Sequence, residues 1–184
     1  HGLVALMSLQ ASRSSSRLAP DGSPVLLLEQ DRRRWDYTMV GAGLAALDRA
    51  HASSQYLGPY TLQASIAACH SRARTASATD WARIVGYYDL LRIAQPSPIV
   101  DLNRAVAVGH ALGAQAGLDA VDELVADPRL RGYHLLPSTR GYFLAALGRG
   151  DEAVAEFDAA IALTKNATEQ RVLRERMQRV RGGA

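Results

Sequence analysis

One cysteine, one lysine and two phenylalanines are all that 184 residues contain of those three types. A single cysteine, Cys69, excludes an internal disulfide framework, and its setting in "IAACH" reads as a small buried hydrophobe in a reducing compartment. That points to the cytoplasm. No apolar run approaches the roughly 20 residues that a membrane-spanning helix needs, and the N-terminus shows no basic segment followed by an apolar one and a cleavage site. The chain opens directly on a helical pattern, as a piece of a longer protein would. With 48% hydrophobic residues and few large aromatics, the interior must be filled by Ala, Leu and Val, and such interiors favour packed helices. The net charge of +3 is carried by arginine, since Lys165 stands alone, and so small a surplus is weak evidence for binding DNA.

Signatures of catalysis are missing too. There is no Gly-rich phosphate loop, no HExxH, no CxxC and no serine in a strand-to-helix elbow. Cys69 and His70 are adjacent, so on a helix they point about 100° apart and rarely share an ion. His51, His110 and His134 are isolated in the sequence, and Asp151 with Glu152 reads as a helix first turn, where acids offset the helix dipole. The expectation is a protein that is not an enzyme, with no catalytic residue, no metal and no cofactor.

What is present is helical periodicity. Residues 2–18 carry Leu3, Leu6 and Met7 at helical spacing until Ser14-Ser15-Ser16 and Pro20 dissolve it, which reads as a short connecting helix. From Asp31 the spacing is helical again, with Asp31 as cap, Trp35, Met39, Ala42 and Ala46 on one face, and Val40, Leu44 and Leu47 beside it. A break at "SSQYLGP" follows, Pro59 suits a first helical turn, and Leu62, Ile66 and Cys69 repeat the period. Thr79 or Asp80 caps a helix carrying Trp81, Ile84, Val85, Tyr88 and Leu91, ended by Pro96 and Pro98.

The second half repeats itself. In "NRAVAVGHALGAQAGLDAVDELV" and "STRGYFLAALGRGDEAVAEFDAAIAL" a glycine joins two helical runs, and Gly113 and Gly148 lie 35 positions apart. The tetratricopeptide period is about 34. Gly141, Gly148, Ala153, Phe157 and Ala160 fall where that repeat needs small, turn-forming and aromatic residues; in the first copy Leu118 stands in the alanine place and Asp122 in the aromatic one. Residues 168–181 give a last helix with Val172, Met177 and Val180 inside and arginines outside, as suits a terminal cap. The predicted fold is all-α, a tetratricopeptide-like right-handed stack of antiparallel helix pairs with about eight or nine helices. Residues 1–34 are read as a connecting helix and extended linker, and 35–184 as the helical domain with its capping helix.

Two polar clusters stand out as partner-binding candidates. The first is "LLLEQDRRRWD", which sets Glu29, Gln30, Asp31, Arg32 and Arg34 beside Trp35, where a plain linker would use Ser, Gly or isolated charges. Its other reading is a capped helix start with Trp35 as a core anchor. Three successive arginines spread over roughly 200° of helix, so they cannot all serve one partner. The second is Asn103-Arg104, mid-helix in an apolar run where Asn needs a reason, with Arg140 and Tyr142 on the corresponding helix of the next repeat. Asn with Arg on the first helix of a repeat can bind a partner's backbone or carboxylate; an interhelical hydrogen bond is the alternative.

"VLLLEQDRRRWD", "GPYTLQASIAACH", "TDWARIVGYYDLL", "PSPIVDLNRAVAV" and "YHLLPSTRGYFLAALGR" together resemble the C-terminal tetratricopeptide-like extension of bacterial extracytoplasmic-function (ECF) sigma factors, of the sigma-70 family. The most specific parts are Glu29 to Asp36, Gln63 to Ala67 and Ser97 to Val106. Where that family usually has a small polar residue between two arginines, this chain has Arg33. The resemblance implies a regulatory protein-interaction domain of an RNA polymerase sigma factor, modulating transcription initiation. Its partners would be core polymerase or the protein's own N-terminal sigma regions. Promoter DNA would be met only through those regions, which lie outside these residues, and no membrane is involved. A competing reading is a tetratricopeptide-like module that senses a small molecule or peptide around Asn103, Arg104 and Tyr142; a homo-oligomer through an exposed stack end is a further option.

Overall fold

A computed structural model describes residues 1–53 and 56–182, and its regular structure is helical, with one isolated bridge between Leu18 and Pro24. The break expected at "SSQYLGP" includes Ser54 and Gln55, which lie outside the described residues. The chain divides into two compact units, residues 1–96 and 97–184.

In the first unit, α1 (Gly2–Ala11) packs against both α2 (Tyr37–Ala52) and α3 (Pro59–Arg72), and α4 (Trp81–Ala94) packs on α3. Ala5 and Leu9 of α1 are fully buried among Val40, Ala46 and Leu47 of α2 and Ala64, Ala67 and Ala68 of α3. α1 thus contributes to the core of the first unit, and the boundary between the two units falls after Pro96. In "GLVALMSLQA" the face carrying Ala5 and Leu9 is covered by α2 and α3, while Leu3, Val4 and Met7 stay exposed. The start of α2 differs from that expected. Asp31 caps a separate 3₁₀ turn at Arg32–Arg34, and Asp36 caps α2 by accepting from Met39 N at 2.9 Å. That later start rotates the face, so Val40, Gly43, Ala46, Leu47 and Ala50 are buried while Met39 and Ala42 are exposed. Asp80 caps α4 and Ser97 caps the next helix in the same way, through Arg83 N and Ile99 N.

The second unit runs α5 (Pro98–Leu112), α6 (Ala114–Asp122), α7 (Leu135–Ala146), α8 (Gly150–Leu163) and α9 (Ala167–Gly182), each packed on the one before it. This is a tetratricopeptide-like stack of helix pairs. Gly113 alone joins α5 to α6, at φ 101°, and Gly148 turns between α7 and α8 at φ 74°. Such angles suit glycine and strain any residue with a Cβ. Ala153, Phe157 and Ala160 are buried as the repeat requires, around Leu144, Leu173 and Met177. The first pair is tighter than its sequence alignment suggests: with a one-residue connection, the close approach is made by Gly109 and Gly117, and Leu118 points into the core instead. Asp122, in the aromatic place, is exposed, while its neighbour Val121 is buried in the same core as Phe143 of α7. No helix among the described residues is long and apolar enough to cross a membrane.

Candidate partner-binding sites

The segment 29–36 is a strap laid over the first unit, and its side chains divide sharply between inside and outside. Gln30, Arg32 and Trp35 are buried; Glu29, Arg33, Arg34 and Asp36 are exposed, and Asp31 is half-buried. Arg32 enters a place where a cation has a physical reason to sit. Its guanidinium donates to the carbonyls of His70 and Ala73, the latter at 2.7 Å, and to Thr79 Oγ1 at 3.3 Å. His70 and Ala73 end α3, whose last carbonyls have no partner within the helix and carry the negative end of its dipole. One arginine thus caps α3 and ties the strap to the α3–α4 connection.

Trp35 lies beside it. The Arg32 guanidinium stands 4.9 Å from the indole centroid and that of Arg13 stands 5.9 Å away, both within cation–π range. Burial pushes the Arg13 guanidinium down to about 10, with the nearby cations Arg17 and Arg32 acting in the same direction. Burial lowers that of Arg32 as well. The Trp35 indole N–H has no acceptor among the described residues. The other end of the strap is tied by backbone groups: Asp36 N donates to Ser12 O at 2.9 Å, Ser15 Oγ to Arg34 O at 2.6 Å, and Arg34 Nη2 to Ser15 O. Gln30 donates to Val25 O at 3.2 Å and its amide oxygen faces Ser16 Oγ at 3.4 Å. The serine run that dissolved the first helical pattern is the seat of the strap, a role that composition alone did not reveal.

A partner approaching this segment would touch Glu29, Asp31, Arg33 and Arg34. Asp31 is held below the usual carboxylate range by its bonds from Arg33, whose Nη2 is 2.9 Å away. One of the three arginines serves the interior, and it could be recognised only from where α3 ends.

The second cluster is spread over two helices of the other unit. Asn103 is exposed on α5 and Arg104 is half-buried beside it. Tyr142 of α7 is 41% exposed, and its ring meets His110 of α5 at 6.1 Å between centroids, so α5 and α7 share one surface there. His110, a contributor not anticipated from sequence, lies on the same side of α5 as Asn103 by its seven-residue spacing. Burial lowers its pKa, which favours the neutral ring. Arg140 is committed elsewhere. It donates to Asp122 of α6 at 2.7 Å and to Glu156 of α8, joining three successive helices, and these bonds raise its pKa. So Tyr142 and His110 share the side of α5 that carries Asn103, Arg104 stands about 100° further round that helix, and Arg140 braces α6 to α8.

Among the described residues no three His, Cys, Asp or Glu side chains group as a metal site would require. His51 meets the Ser65 hydroxyl at 3.2 Å, but Ser65 is buried and its hydroxyl donates to Thr61 O, so that pair serves packing.

Residues 1–51 match a family described as "Family of unknown function (DUF6596)". The chain is also similar to an uncharacterized protein of Rhizobium meliloti (strain 1021), 46% identical over 173 residues, which cover 94% of this chain and 40% of that protein. The chain therefore spans well under half the length of this relative. No solved structure matches significantly. The matched family covers α1, the strap and almost all of α2, the elements that carry the first cluster.

Proposed function

We propose that this chain is the regulatory protein-interaction region of an ECF sigma factor, modulating transcription initiation through contacts with the sigma regions or with core polymerase. The observation that carries this reading is the strap: a short segment buried on one side by Arg32 and Trp35 and held rigid at both ends offers Glu29, Asp31, Arg33 and Arg34 outward at fixed positions. A preorganised row of charges suits docking of another protein surface, because little side-chain and loop freedom remains to be lost on binding. Stacked helix pairs are scaffolds for such contacts, and α5 with α7 supplies a second surface around Asn103, His110 and Tyr142. The resemblance of the five stretches supplies the identity of the partners; the great remaining length of the relative leaves room for the sigma regions.

The test uses the intact protein in transcription from a cognate promoter in vitro, with and without the residues of this region. Deletion is expected to change transcript yield several-fold. Glu29→Ala and Arg33→Ala should also change it while leaving the thermal midpoint close to that of the parent, since both side chains are exposed and the side-chain bonds of Arg33 go to Asp31 alone. Unchanged yield on deletion would refute the proposal, and variants that simply unfold would make the outer charges structural.

A further inference from the structure

The whole-chain charge of +3 conceals a separation. Residues 165–182 hold six cations, Lys165, Arg171, Arg174, Arg176, Arg179 and Arg181, against two carboxylates, Glu169 and Glu175, so the rest of the chain is net negative by one. The structure places most of these cations on one side of one helix. On α9, Leu173 and Met177 are buried against the stack, whereas Arg171, Arg174, Arg179 and Arg181 are exposed. Glu169 is engaged inward, 3.2 Å from His134 Nε2 and accepting from Thr164 Oγ1, which leaves Glu175 as the carboxylate of the outer face. Arg171, Arg174 and Arg181, with Gln178 between, follow a spacing of three, seven and ten residues, a single row about 15 Å long.

We infer that, contrary to the expectation that DNA is met only outside these residues, the outer face of α9 is a sequence-independent docking surface for the phosphate backbone of duplex DNA. Three features select this partner. A membrane surface would require an apolar face to enter the acyl boundary, and the apolar residues of α9 are spent on α8. Single-stranded nucleic acid is held by aromatic stacking, and residues 165–182 contain no Phe, Trp or Tyr. All the cations of the row are arginine, whose planar fork matches phosphate oxygens in pairs. The choice of DNA over duplex RNA rests on the proposed role in transcription, where a promoter lies alongside.

The test is fluorescence anisotropy of the 184-residue chain with random-sequence duplex DNA of about 30 base pairs at several salt concentrations. Arg171→Gln, Arg174→Gln and Arg181→Gln together should weaken binding about tenfold or more and reduce the slope of log affinity against log salt by about 2 to 3. A charge-matched variant, Arg129→Gln, Arg131→Gln and Arg149→Gln, changes exposed arginines elsewhere in the same unit and should leave both quantities near the parent's. Circular dichroism confirms that both variants stay folded. Absence of DNA binding by the parent, equal losses in the two variants, or a preference for single strands or duplex RNA would each overturn the inference. Because no transcription is read, failure here leaves the regulatory role standing, and a chain that binds DNA through α9 yet leaves transcript yield unchanged when deleted would remove that role alone.

Discussion

Replacing Arg32 by methionine is expected to destabilise the first unit by about 3 kcal/mol and to lower its thermal midpoint by roughly 10–20 °C. Methionine keeps much of the aliphatic volume against Trp35, so the loss isolates the guanidinium. That group donates to the carbonyls of His70 and Ala73 and lies 7% exposed, where water cannot easily replace it. Each buried carbonyl left without a donor costs about 1–3 kcal/mol, the cation at the helix C-terminus contributes up to about 2, and the indole contact adds about 1. Relief of the desolvation that burial imposes on Arg32 offsets part of this sum, hence the smaller net figure. Arg32→Lys should fall between, since one ammonium cannot span both carbonyls and Thr79 with a planar fork. Arg33→Met, on an exposed side chain whose bonds are to Asp31, should leave the midpoint essentially unmoved. Chemical denaturation followed by circular dichroism decides the matter: equal midpoints for the Arg32 and Arg33 variants would mean that the strap is not anchored through α3.

That contrast between neighbouring arginines marks the limit of what the sequence discloses. Helix existence was legible because apolar spacing and capping residues act locally: Pro59, Asp80 and Ser97 each begin a helix as their chemistry requires. The second repeat was legible residue by residue, since Gly141, Ala153, Phe157 and Ala160 form a pattern set by one pair of helices. Two things were not. The central position of α1 depends on α3, more than fifty residues away in sequence, and no local period reports which distant helix will cover an apolar segment. The division of "QDRRRWD" into inner and outer residues depends on Ser12 to Ser16 and on the end of α3, so a stretch read as a docking element or a capped helix start puts one of its cations in the interior. The grouping of Tyr142 with His110, and the commitment of Arg140 to Asp122 and Glu156, likewise arise only when α5 to α8 stand side by side.

Gly117→Ala should destabilise the second unit by about 2–4 kcal/mol even though alanine is favoured over glycine by about 1 kcal/mol within a helix. A Cβ at Gly117 would stand 2.5 Å from Phe143 Cζ and 2.7 Å from the Cα of Gly109. The first obstacle is a fully packed ring from α7 and the second is backbone of α5, so neither can yield by a rotamer change. Accommodation requires α5 and α6 to part, which opens space around Leu102, Leu118 and Val121 and loses contacts that no other residue restores. Shrinking the ring separates the two obstacles: Phe143→Leu combined with Gly117→Ala should recover only part of the loss relative to Phe143→Leu alone, because Gly109 remains. Gly41→Ala supplies the opposite sign. It lies in α2 with open space around its would-be Cβ and is exposed, so propensity acts unopposed and stability should rise by about 0.5–1 kcal/mol. Denaturant midpoints of the four variants therefore test a single proposition, that the tight α5–α6 crossing is set by backbone contact between two glycines with Phe143 wedged beside them. A Gly117→Ala chain as stable as the Gly41→Ala chain would show that the pair separates without loss, and the first repeat would then owe its stability to α7 and α8 instead.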